Sequence, residues 1–400
     1  MTSNNQHIPS GYKPSPLGII PEDWEVKRLG ELGNFSKGNG VPKDKIIKDA
    51  NEHPCLTYGD LYTKYDFVIK DIKSFIDDDV ASESKEIHIG DICFAGSGET
   101  PEDIGKCAAY IEERTAYAGG DIITLAPNKD INSIWLSYAL NSDIGGKQRY
   151  KFAQGFSIVH IYPDYLKQIQ IPTPTYTEQN SIVSVLSLWD TAISKQSALI
   201  EKLTQRKRGL MQQLLTGKKR LKGFVGNSFK MMSFDKIANT VNVKAFQVSK
   251  SDYQEKGKTP IVDQGQMFIA AYSDSNKVFA DVPFILFGDH TRIIKWIDFP
   301  CVIGADGVQA IKAKGRMDIK YLYYLLSNTE LPNLGYSRHM SILKEKVFYV
   351  STNLDEQKAI AECLSRADNE IEIQKQKLAS LQEQKKGLMQ VLLTGKRRVK

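Results

Sequence analysis

The sequence predicts an α+β protein in which two mixed α/β domains alternate with two long helices, related by an internal pseudo-twofold repeat. Two observations predict this class. A stretch that begins at Glu178 occurs again from Glu356, and roughly half of the aligned positions are identical without a gap, which identifies an internal repeat. Within each copy, apolar residues alternate at spacings of four and three over about five heptads, the pattern of a coiled coil.

The two long helices are predicted to pair with each other in antiparallel orientation. The first helix leads out to the second domain, and the last helix comes back. The predicted parts of the chain are an N-terminal arm, a first domain, a first helix, a second domain and a second helix. They span residues 1–23, 24–174, 175–222, 223–352 and 353–400.

Both ends of each helix carry recognisable signals. Each copy starts with a predicted capping box, in which an N-cap side chain and a glutamate three residues later satisfy each other's backbone donors. Each copy ends in Leu-Leu-Thr-Gly-Lys, and its glycine fits the left-handed position just past a helix. These residues are Thr175, Glu178 and Gly217 in the first copy, and Asn353, Glu356 and Gly395 in the second.

The predicted seam is apolar with a few polar positions, which cost stability but can fix register and partner orientation. Lysine stands at a seam position in both copies, at Lys207 and Lys385. The seam residues predicted to pack between helices or against a partner are Ile182, Leu186, Ile193, Gln196, Leu203, Leu210, Leu214, Ile360, Leu364, Ile371, Gln374, Leu381, Leu388 and Leu392.

The first domain is predicted to mix short strands with one amphipathic helix. Apolar runs at 86–96 and 119–127 predict strands, and residues 133–142 predict the helix. Loops rich in glycine and proline are predicted at 33–44 and 95–106. In the arm before this domain, four prolines predict an extended segment without regular structure.

The second domain is predicted to be a divergent copy of the first. After a loop at 223–229, residues 283–297 predict two strands around a turn. The run at 304–313 parallels the earlier strand at 119–127, and residues 319–328 parallel the earlier helix. The whole chain is therefore predicted to be built twice from one plan.

Composition narrows the class of protein. The net charge of +6 and the pI near 8.8 are compatible with nucleic acid without proving it. Five scattered cysteines without a Cys-x-x-Cys pair predict reduced thiols, a cytoplasmic protein and no zinc site. No apolar run is long enough for a membrane helix. The basic runs at 218–222 and 396–400 are either solvated helix ends or partner contacts.

No catalytic constellation holds in the sequence. A phosphate-binding loop needs four residues between its glycines and a hydroxyl residue after its lysine. Here six residues separate Gly98 from Gly105, and Lys106 is followed by Cys107. The histidines show no metal-ligand spacing, and Asp289 with His290 lacks a partner nucleophile, so a hydrogen-bonding turn is favoured there. We predict no catalytic residue, no metal and no cofactor in this chain.

Polar, donor-rich loops recur in both domains instead. Arg, Lys, Asn and Gln side chains grip phosphates and bind base edges, although a solvated loop residue is the alternative at each position. The candidate DNA-binding residues are Lys37, Asn39, Lys43, Ser97, Glu99, Thr100, Arg149, Lys151, Gln154 and Ser157 in the first domain, and Lys244, Lys250, Gln264, Gln266, His290, Thr291, Arg292, Arg338 and His339 in the second.

Several stretches resemble the specificity (S) subunits of type I restriction–modification enzymes, the HsdS family. They are GYKPSPLGIIPEDWEVKRLGELGNFSKG at 11–38, the link IPTPTYTEQNSIVSVLSLWDTAI at 171–193, and the doubled helix end GLMQQLLTGKKR and GLMQVLLTGKRR. LFGDHT at 286–291 and GADGV at 304–308 are also similar to such domains. The resemblance covers nearly the whole chain.

The resemblance implies a non-catalytic subunit that reads a bipartite double-stranded DNA target. Two target recognition domains would each read one half-site, and the paired helices would set the gap between them. Two modification methyltransferase subunits would dock on the helices, and restriction subunits would join through the complex. S-adenosylmethionine, ATP and Mg²⁺ would belong to those partners.

One departure and one alternative accompany this interpretation. The second domain lacks a clear copy of the IPEDW motif, and its link at 346–357 lacks the prolines of the first link, which leaves the register of that domain open. The competing class is a coiled-coil assembly scaffold whose two domains bind protein rather than DNA. A stand-alone nuclease or methyltransferase lacks its motifs.

Overall fold

The structure is a computed structural model that describes residues 8–38, 41–48, 53–305, 307–333, 335 and 337–399. The chain divides into two compact units. Unit 1 comprises residues 1–195 and 378–400, and unit 2 comprises residues 196–377. Each unit therefore contains one mixed domain together with part of both long helices, and each is described by itself.

Unit 1 combines short strands with short helices before its first long helix. Its strands are β1 (Tyr12–Ser15), β2 (Gly18–Pro21), β3 (Glu25–Arg28), β4 (Gly33–Lys37), β5 (Ile47–Lys48), β6 (His53–Leu56), β7 (Val68–Ile69), β8 (Ser74–Ile76), β9 (Lys85–Ile87), β10 (Ile92–Ala95), β11 (Ser97–Gly98), β12 (Cys107–Tyr110), β13 (Ala116–Ala118), β14 (Ile122–Pro127), β15 (Val159–His160) and β16 (Gln170–Thr173). Its helices are α1 (Leu29–Leu32), α2 (Tyr58–Thr63), α3 (Asp78–Glu83), α4 (Ser133–Leu140), α5 (Asp143–Lys151), α6 (Pro163–Leu166) and the start of α7 (Tyr176–Leu214).

Two five-stranded sheets organise unit 1. Their strand orders are β4-β14-β10-β12-β7 and β5-β8-β6-β13-β9, with the two-stranded pairs β1-β2, β11-β15 and β16-β3 beside them. The predicted strands at 86–96 and 119–127 and the predicted helix at 133–142 are confirmed as β9, β10, β14 and α4. The main core joins Trp24 and Trp135 of the domain to Leu186 of α7 and Leu392 of the second long helix.

Two predictions for unit 1 are wrong. The segment from Tyr12 to Pro21 is an antiparallel hairpin rather than an extended arm, because proline is tolerated in a two-stranded edge where its missing donor is not needed. Residues 33–37, expected in a loop, form β4 and pair with β14. The first seven residues of the expected arm lie outside the described part of the chain.

Unit 2 repeats the plan with fewer strands. Its strands are β17 (Phe229–Ser233), β18 (Ala238–Val241), β19 (Gln247–Val248), β20 (Thr259–Val262), β21 (Ala271–Ser273), β22 (Phe284–Gly288), β23 (Ile294–Ile297), β24 (Val302–Gly304), β25 (Val308–Ala313) and β26 (Val347–Ser351). Its helices are α8 (Phe234–Ile237), α9 (Ile319–Ser327), α10 (Met340–Glu345) and most of α11 (Leu354–Leu392), while 3₁₀ turns occur at Lys244–Phe246 and Lys250–Asp252, as one also does at Lys43–Lys45 in unit 1.

The sheets of unit 2 match those of unit 1 in outline. They are β18-β25-β22-β23, β19-β24-β20-β21 and the pair β17-β26. The predicted pair of strands at 283–297 is confirmed as the antiparallel strands β22 and β23, and the predicted helix at 319–328 is confirmed as α9. Its core joins Tyr321 and Leu326 of α9 to Leu214 of α7 and Leu364 of α11.

Both long helices end as the sequence predicts, but at their N-termini only half of the predicted capping box forms. Gly217 and Gly395 take left-handed φ values of 69° and 70°, as C-cap glycines do. The N-cap oxygens of Thr175 and Asn353 accept the backbone N–H of the glutamate three residues on, at 3.4 and 3.2 Å. The reciprocal half of the capping box is absent, because both glutamate side chains bind an arginine instead.

The predicted seam residues lie on the covered faces of the long helices within each unit. The fourteen predicted seam residues are all buried or half-buried. In unit 2, the Gln196 side-chain amide donates to the side-chain oxygen of Gln374 at 2.8 Å, so matching positions near the middle of α7 and α11 meet each other. In the part of the chain that is described, no helix combines the length and apolar character needed to cross a membrane.

Candidate nucleic-acid interface

In unit 1 two polar segments that are far apart in the sequence, one at Ser97 and one at 154–160, meet where β11 pairs with β15. Strand β11 follows the loop glycine Gly96 and pairs with β15, with Ser97 opposite His160. The Ser97 hydroxyl and the His160 Nδ1 lie 2.9 Å apart. Gln154 and His160 exchange both backbone hydrogen bonds, at 3.0 and 2.7 Å. The segment from 154 to 160 is therefore a tight hairpin held against the Ser97 strand.

The exposed candidates of unit 1 lie at the ends of regular elements. Lys37 ends β4 and lies opposite Ile123 of β14, which lies opposite Phe94 of β10. Lys37 therefore lies near the end of β10 that leads into Ser97. Glu99 and Thr100 are exposed just after β11, and Lys151 is exposed at the end of α5. Asn39 and the side chain of Lys43 lie outside the described residues.

Three candidates are wrong as direct DNA contacts because they are buried. Arg149 is 5% exposed, and its guanidinium donates to the carbonyl oxygens of Ile104, at 3.0 Å, and Leu140. Burial lowers the pKa of the Arg149 guanidinium. His339 is fully buried and contacts the carbonyl oxygen of Asp289 at 2.9 Å. Ser97 is 3% exposed and supports the hairpin rather than presenting its hydroxyl.

In unit 2 three predicted residues come together. The Gln264 side-chain oxygen accepts the backbone N–H of His290 at 3.1 Å, and the Thr291 hydroxyl donates to the Gln264 carbonyl at 2.7 Å. A Cβ at Gly307 would lie within 2.7 Å of the Gln264 amide group, so glycine is required for this close approach. The cluster places a half-buried glutamine beside an exposed threonine.

A buried lysine holds the loop around Gln264 in place through hydrogen bonds to its backbone. The ammonium group of Lys295, which is 5% exposed, donates to the carbonyl oxygens of Asp263 and Met267. Burial lowers the pKa of Lys295, while the nearby Asp263 opposes that shift. This bracing leaves Gln266 exposed at the surface together with the large apolar side chains of Met267 and Phe268.

The remaining candidates of unit 2 fall into two groups. Arg292 has a left-handed φ of 62° and donates to the Leu331 carbonyl at 3.3 Å, and it lines a surface cavity together with Thr291. Lys250 lines another surface cavity together with Gln266. Lys244 and Arg338 are exposed on separate segments.

A second feature, which we call the lysine junction, fixes each domain to the helices. In unit 1 the ammonium of Lys385 pairs with the carboxylate of Asp190, which also accepts the Tyr138 hydroxyl of α4. The ammonium lies 3.8 Å from the ring centre of Phe67 and 5.0 Å from that of Tyr138. Burial lowers the pKa of Lys385, and the hydrogen bond that Lys385 donates to Asp190 opposes that shift.

The lysine junction of unit 2 uses the matching repeat positions. Lys207 pairs with Asp368 at 2.5 Å, and the Tyr324 hydroxyl of α9 donates to Asp368 at 2.7 Å. The Lys207 ammonium lies 5.5 Å from the Tyr324 ring centre. In both units, one long helix supplies the lysine, the other supplies the aspartate, and the domain supplies the tyrosine.

A third feature, which we call the arginine junction, closes the end of each helix pair. In unit 1, Arg398 donates to both carboxylate oxygens of Glu178 at 2.6 and 2.7 Å, and the indole of Trp24 donates to the same carboxylate at 2.8 Å. Arg398 also donates twice to Asp23. The basic run at 396–400 is therefore not simply a solvated helix end.

In unit 2 the arginine junction is built from Arg220 and Glu356. Both carboxylate oxygens of Glu356 accept from the Arg220 guanidinium at 2.7 Å, and the Ser351 hydroxyl also donates to this carboxylate. The guanidinium carbon lies 4.8 Å from the ring centre of Phe229. Phe229 lies beside Arg220 and Gly217 as Trp24 lies beside Arg398 and Gly395 in unit 1, so the two rings occupy corresponding places at the ends of the helices.

The sequence assigned the two lysines to the seam and the two glutamates to capping boxes, and their junction contacts were missed although a signal existed. Glu178 matches Glu356, and Asp190 matches Asp368, as identical residues in the repeat. Identity at charged positions facing away from a heptad seam is a sign of a shared contact. Among the residues that the structure describes, no group of three or more His, Cys, Asp or Glu side chains is placed to hold a metal ion.

Comparison with known proteins agrees with a repeated architecture. A family model described as the type I restriction modification DNA specificity domain matches residues 21–205 and again 227–383. The putative type I restriction enzyme MjaX specificity subunit of Methanocaldococcus jannaschii is 29% identical, over 97% of this chain and 97% of its own. The MjaVIII specificity subunit of the same organism is 26% identical, over 95% and 94%.

Solved structures share the fold. The S subunit of a type I restriction–modification system from M. genitalium superposes with a TM-score of 0.58 and 16% identity, over 92% of this chain and 96% of its own. A chain from a structure of type I R-M complex assembly and conformational transition gives 0.57 and 16%, over 94% and 99%. The two family matches cover most of this chain, which belongs to the type I restriction–modification DNA specificity family and serves DNA target recognition as a specificity subunit, not as a protein-only scaffold.

Proposed function

We propose that the chain recognises a bipartite DNA target, with one half-sequence read by the loops of each unit. The observation that carries this proposal is the duplication: each unit holds one family match, one sheet edge with polar loops and one set of junctions. Because the junctions fix each domain to the helices, the loops of a unit are presented as one rigid surface.

The exposed loop residues have chemistry suited to two tasks. Lys37 and Lys151 in unit 1 are placed to neutralise phosphates, which positions a protein without reading sequence. Gln154 in unit 1 and Gln266 in unit 2 are exposed and can donate and accept at once, as binding an adenine edge in the major groove requires. Gln264, in the same loop as Gln266, is half-buried and already accepts from the His290 backbone. These residues are the specificity candidates that the exposure and clustering support best.

We further propose that two modification methyltransferase subunits dock on the long helices, and that restriction subunits join through them. Support comes from Gly209 and Gly387, which occupy matching positions within α7 and α11. Glycine weakens a helix by about 1 kcal/mol relative to alanine, yet a Cβ at either position would meet nothing within 4 Å. None of the described residues comes close enough to require these glycines, so a partner that approaches the helix backbone closely would account for them.

Two substitutions separate this docking role from stability. Changing Gly209 and Gly387 to Ala should raise the stability of the chain, because each site is open and alanine favours the helix. Changing them to Leu should leave the chain folded but exclude the partner. Native mass spectrometry of the co-expressed complex should show two, one and no methyltransferase subunits for the parent, either single Leu variant and the double variant. Unchanged stoichiometry in the double Leu variant would contradict docking at the glycines.

The chemistry of the complex is assigned to the partners. We propose that this chain catalyses nothing itself and that S-adenosylmethionine, ATP and Mg²⁺ act in the methyltransferase and restriction subunits. A cytoplasmic location is also proposed, on the ground that its five cysteines are free thiols, the form that a reducing compartment maintains.

Binding of the full chain, together with a methyltransferase subunit, to duplex DNA tests the DNA function itself. Phosphate contacts release counterions, so affinity should fall steeply between about 50 and 200 mM salt. An affinity that is flat over this range, or equal for target and scrambled duplex, would contradict sequence-specific recognition.

A further inference from the structure

The hairpin of unit 1 carries an aromatic side chain that none of the described residues covers. Phe156 is fully exposed, and its neighbour Ile158 is more than half exposed. Burying a phenylalanine side chain stabilises a protein, and a fully exposed phenylalanine contributes none of that stabilisation. Single exposed apolar residues are common on proteins, so the conformation of the hairpin decides whether this one has a role.

The hairpin is built to hold that side chain outward. Gly155, just before Phe156, has a left-handed φ of 113°, and a Cβ there would collide with the Ile158 carbonyl oxygen. The exchange of backbone hydrogen bonds between Gln154 and His160 closes the base of the hairpin. The pairing of β15 with β11 then ties that base to the sheet edge. The tip is therefore a braced turn rather than a loose loop.

The surroundings of the tip favour nucleic acid as the occupant. Gln154 and Ser157 flank Phe156 on the same hairpin and are exposed, and both side chains can donate and accept hydrogen bonds, as groups that bind base edges do. Lys151 lies three residues before Gln154 and supplies a cation for the backbone phosphates. A flat apolar ring between such groups suits stacking on a base.

The second domain carries the same three-residue pattern at the corresponding point before its last strand. Gly335, Tyr336 and Ser337 match Gly155, Phe156 and Ser157, and Gly335 also has a left-handed φ, of 66°. Tyr336 lies outside the described residues, so this match is one of sequence. Retention of a glycine, an aromatic residue and a serine between domains that otherwise diverge points to a shared use.

We propose that Phe156 is a DNA-contacting residue that inserts its ring beside a base step of the half-site read by unit 1. This inference rests on the proposed reading of one half-site by each unit. Apolar side chains inserted between base steps partly unstack them and kink the duplex. The hairpin would thus recognise how easily the DNA kinks, in addition to the hydrogen bonds that Gln154 makes to base edges.

The variants Phe156→Ala and Phe156→Tyr test this proposal in the full complex with the methyltransferase subunits. Ile89→Ala is a matched control, because Ile89 is a well-exposed apolar residue at the turn that precedes β10, the end opposite to β11. The duplex carries the target found by methylome sequencing, with 2-aminopurine placed at successive positions of each half-site. Unstacking of a base step would raise the fluorescence of the probe at that position.

Phe156→Ala should weaken binding about 5- to 150-fold, the range for losing one stacked base, and should abolish the fluorescence rise in one half-site. Phe156→Tyr should stay within about threefold of the parent because the ring is kept, and Ile89→Ala should match the parent. Parental affinity and fluorescence in Phe156→Ala would overturn the inference alone. Loss of the methyltransferase subunits from that variant would reassign Phe156 to a protein contact. Failure of the parent to bind its target would overturn the proposed function with it.

Discussion

Both units contain a lysine junction and an arginine junction, but the more deeply buried copy of the lysine junction is in unit 1 and that of the arginine junction is in unit 2. The lysine junction is the drier one in unit 1, where the Lys385 side chain is 6% exposed against 20% for Lys207. The arginine junction is the drier one in unit 2, where the Glu356 side chain is fully buried and that of Glu178 is 7% exposed. The charged partners are identical in the repeat, so the helices do not cause this difference.

The domains cause it, through the side chains that they lay over each pair. Phe67 covers the Lys385 ammonium in unit 1, and the Ser351 hydroxyl binds the Glu356 carboxylate in unit 2. A buried pair depends strongly on both partners, because removing one leaves an uncompensated charge. The two domains therefore differ in sequence, yet each covers at least one buried ion pair of the helices.

The arginine junction should show the largest difference between the units. Arg220→Ala leaves the Glu356 carboxylate buried, so we expect a loss of about 3–5 kcal/mol in the free energy of unfolding. Arg398→Ala should cost less, about 1.5–3 kcal/mol, because the Arg398 and Glu178 side chains are 31% and 7% exposed, against 19% and 0% for Arg220 and Glu356. Hydrogen exchange of the amides of each unit measures both values. The exposed neighbours Lys218 and Lys396, changed to Ala, serve as controls; an equal cost for the two arginines would contradict the role of burial.

The lysine junction should show the reverse order with smaller effects. Lys385→Ala removes a desolvated cation from two aromatic rings and should cost about 2 kcal/mol, whereas Lys207→Ala should cost about 0.5–1 kcal/mol. Lys→Met at each position keeps the apolar stem and separates packing from charge. The same exchange experiment checks the order, and a larger cost at Lys207 than at Lys385 would refute it.

The smallest expected difference between the units comes from Asp23 and depends on pH. Hydrogen bonds from Arg398 hold the pKa of Asp23 below its ordinary value of 3.8. A carboxyl whose pKa is lower in the folded state contributes stability above its ordinary pKa, and this contribution is lost as the pH falls through the folded pKa. Because Asp23 is half exposed, Asp23→Asn should cost only about 0.2–1 kcal/mol at neutral pH, and that cost should vanish in acid. In unit 2, Arg220 donates instead to the carbonyl of Asn227, which does not titrate.

Prediction from the sequence succeeded where the signal was local. The four-three spacing from Ile182 to Leu214 defines one face of a helix whatever lies around it, and Gly217 is required for a left-handed helix end. It failed where distant backbone decides the outcome. Arg149 looked like a DNA ligand, but its partners are the carbonyl oxygens of Ile104 and Leu140, which a sequence does not place beside it.

The candidate recognition surface was predicted in part for the same reason. Polar composition identified the loops around Ser97 and Gln154, but only the pairing of β11 with β15 joins them. The exposed ring of Phe156 was missed altogether, because an apolar residue in a sequence predicts burial. The doubled Gly-aromatic-Ser pattern was a signal that could have found it.

Methylome sequencing of cells carrying loop variants tests the central claim most directly. The variant with Lys151→Ala and Gln154→Ala alters unit 1, and the variant with Gln264→Ala and Gln266→Ala alters unit 2. Each lost base contact should relax discrimination by about 1–3 kcal/mol. The account predicts that the first variant degrades one half of the methylated sequence, the second degrades the other half, and the spacing between halves stays unchanged. If both variants relax the same half, or if neither changes the sequence methylated, the two units do not each read one half-site.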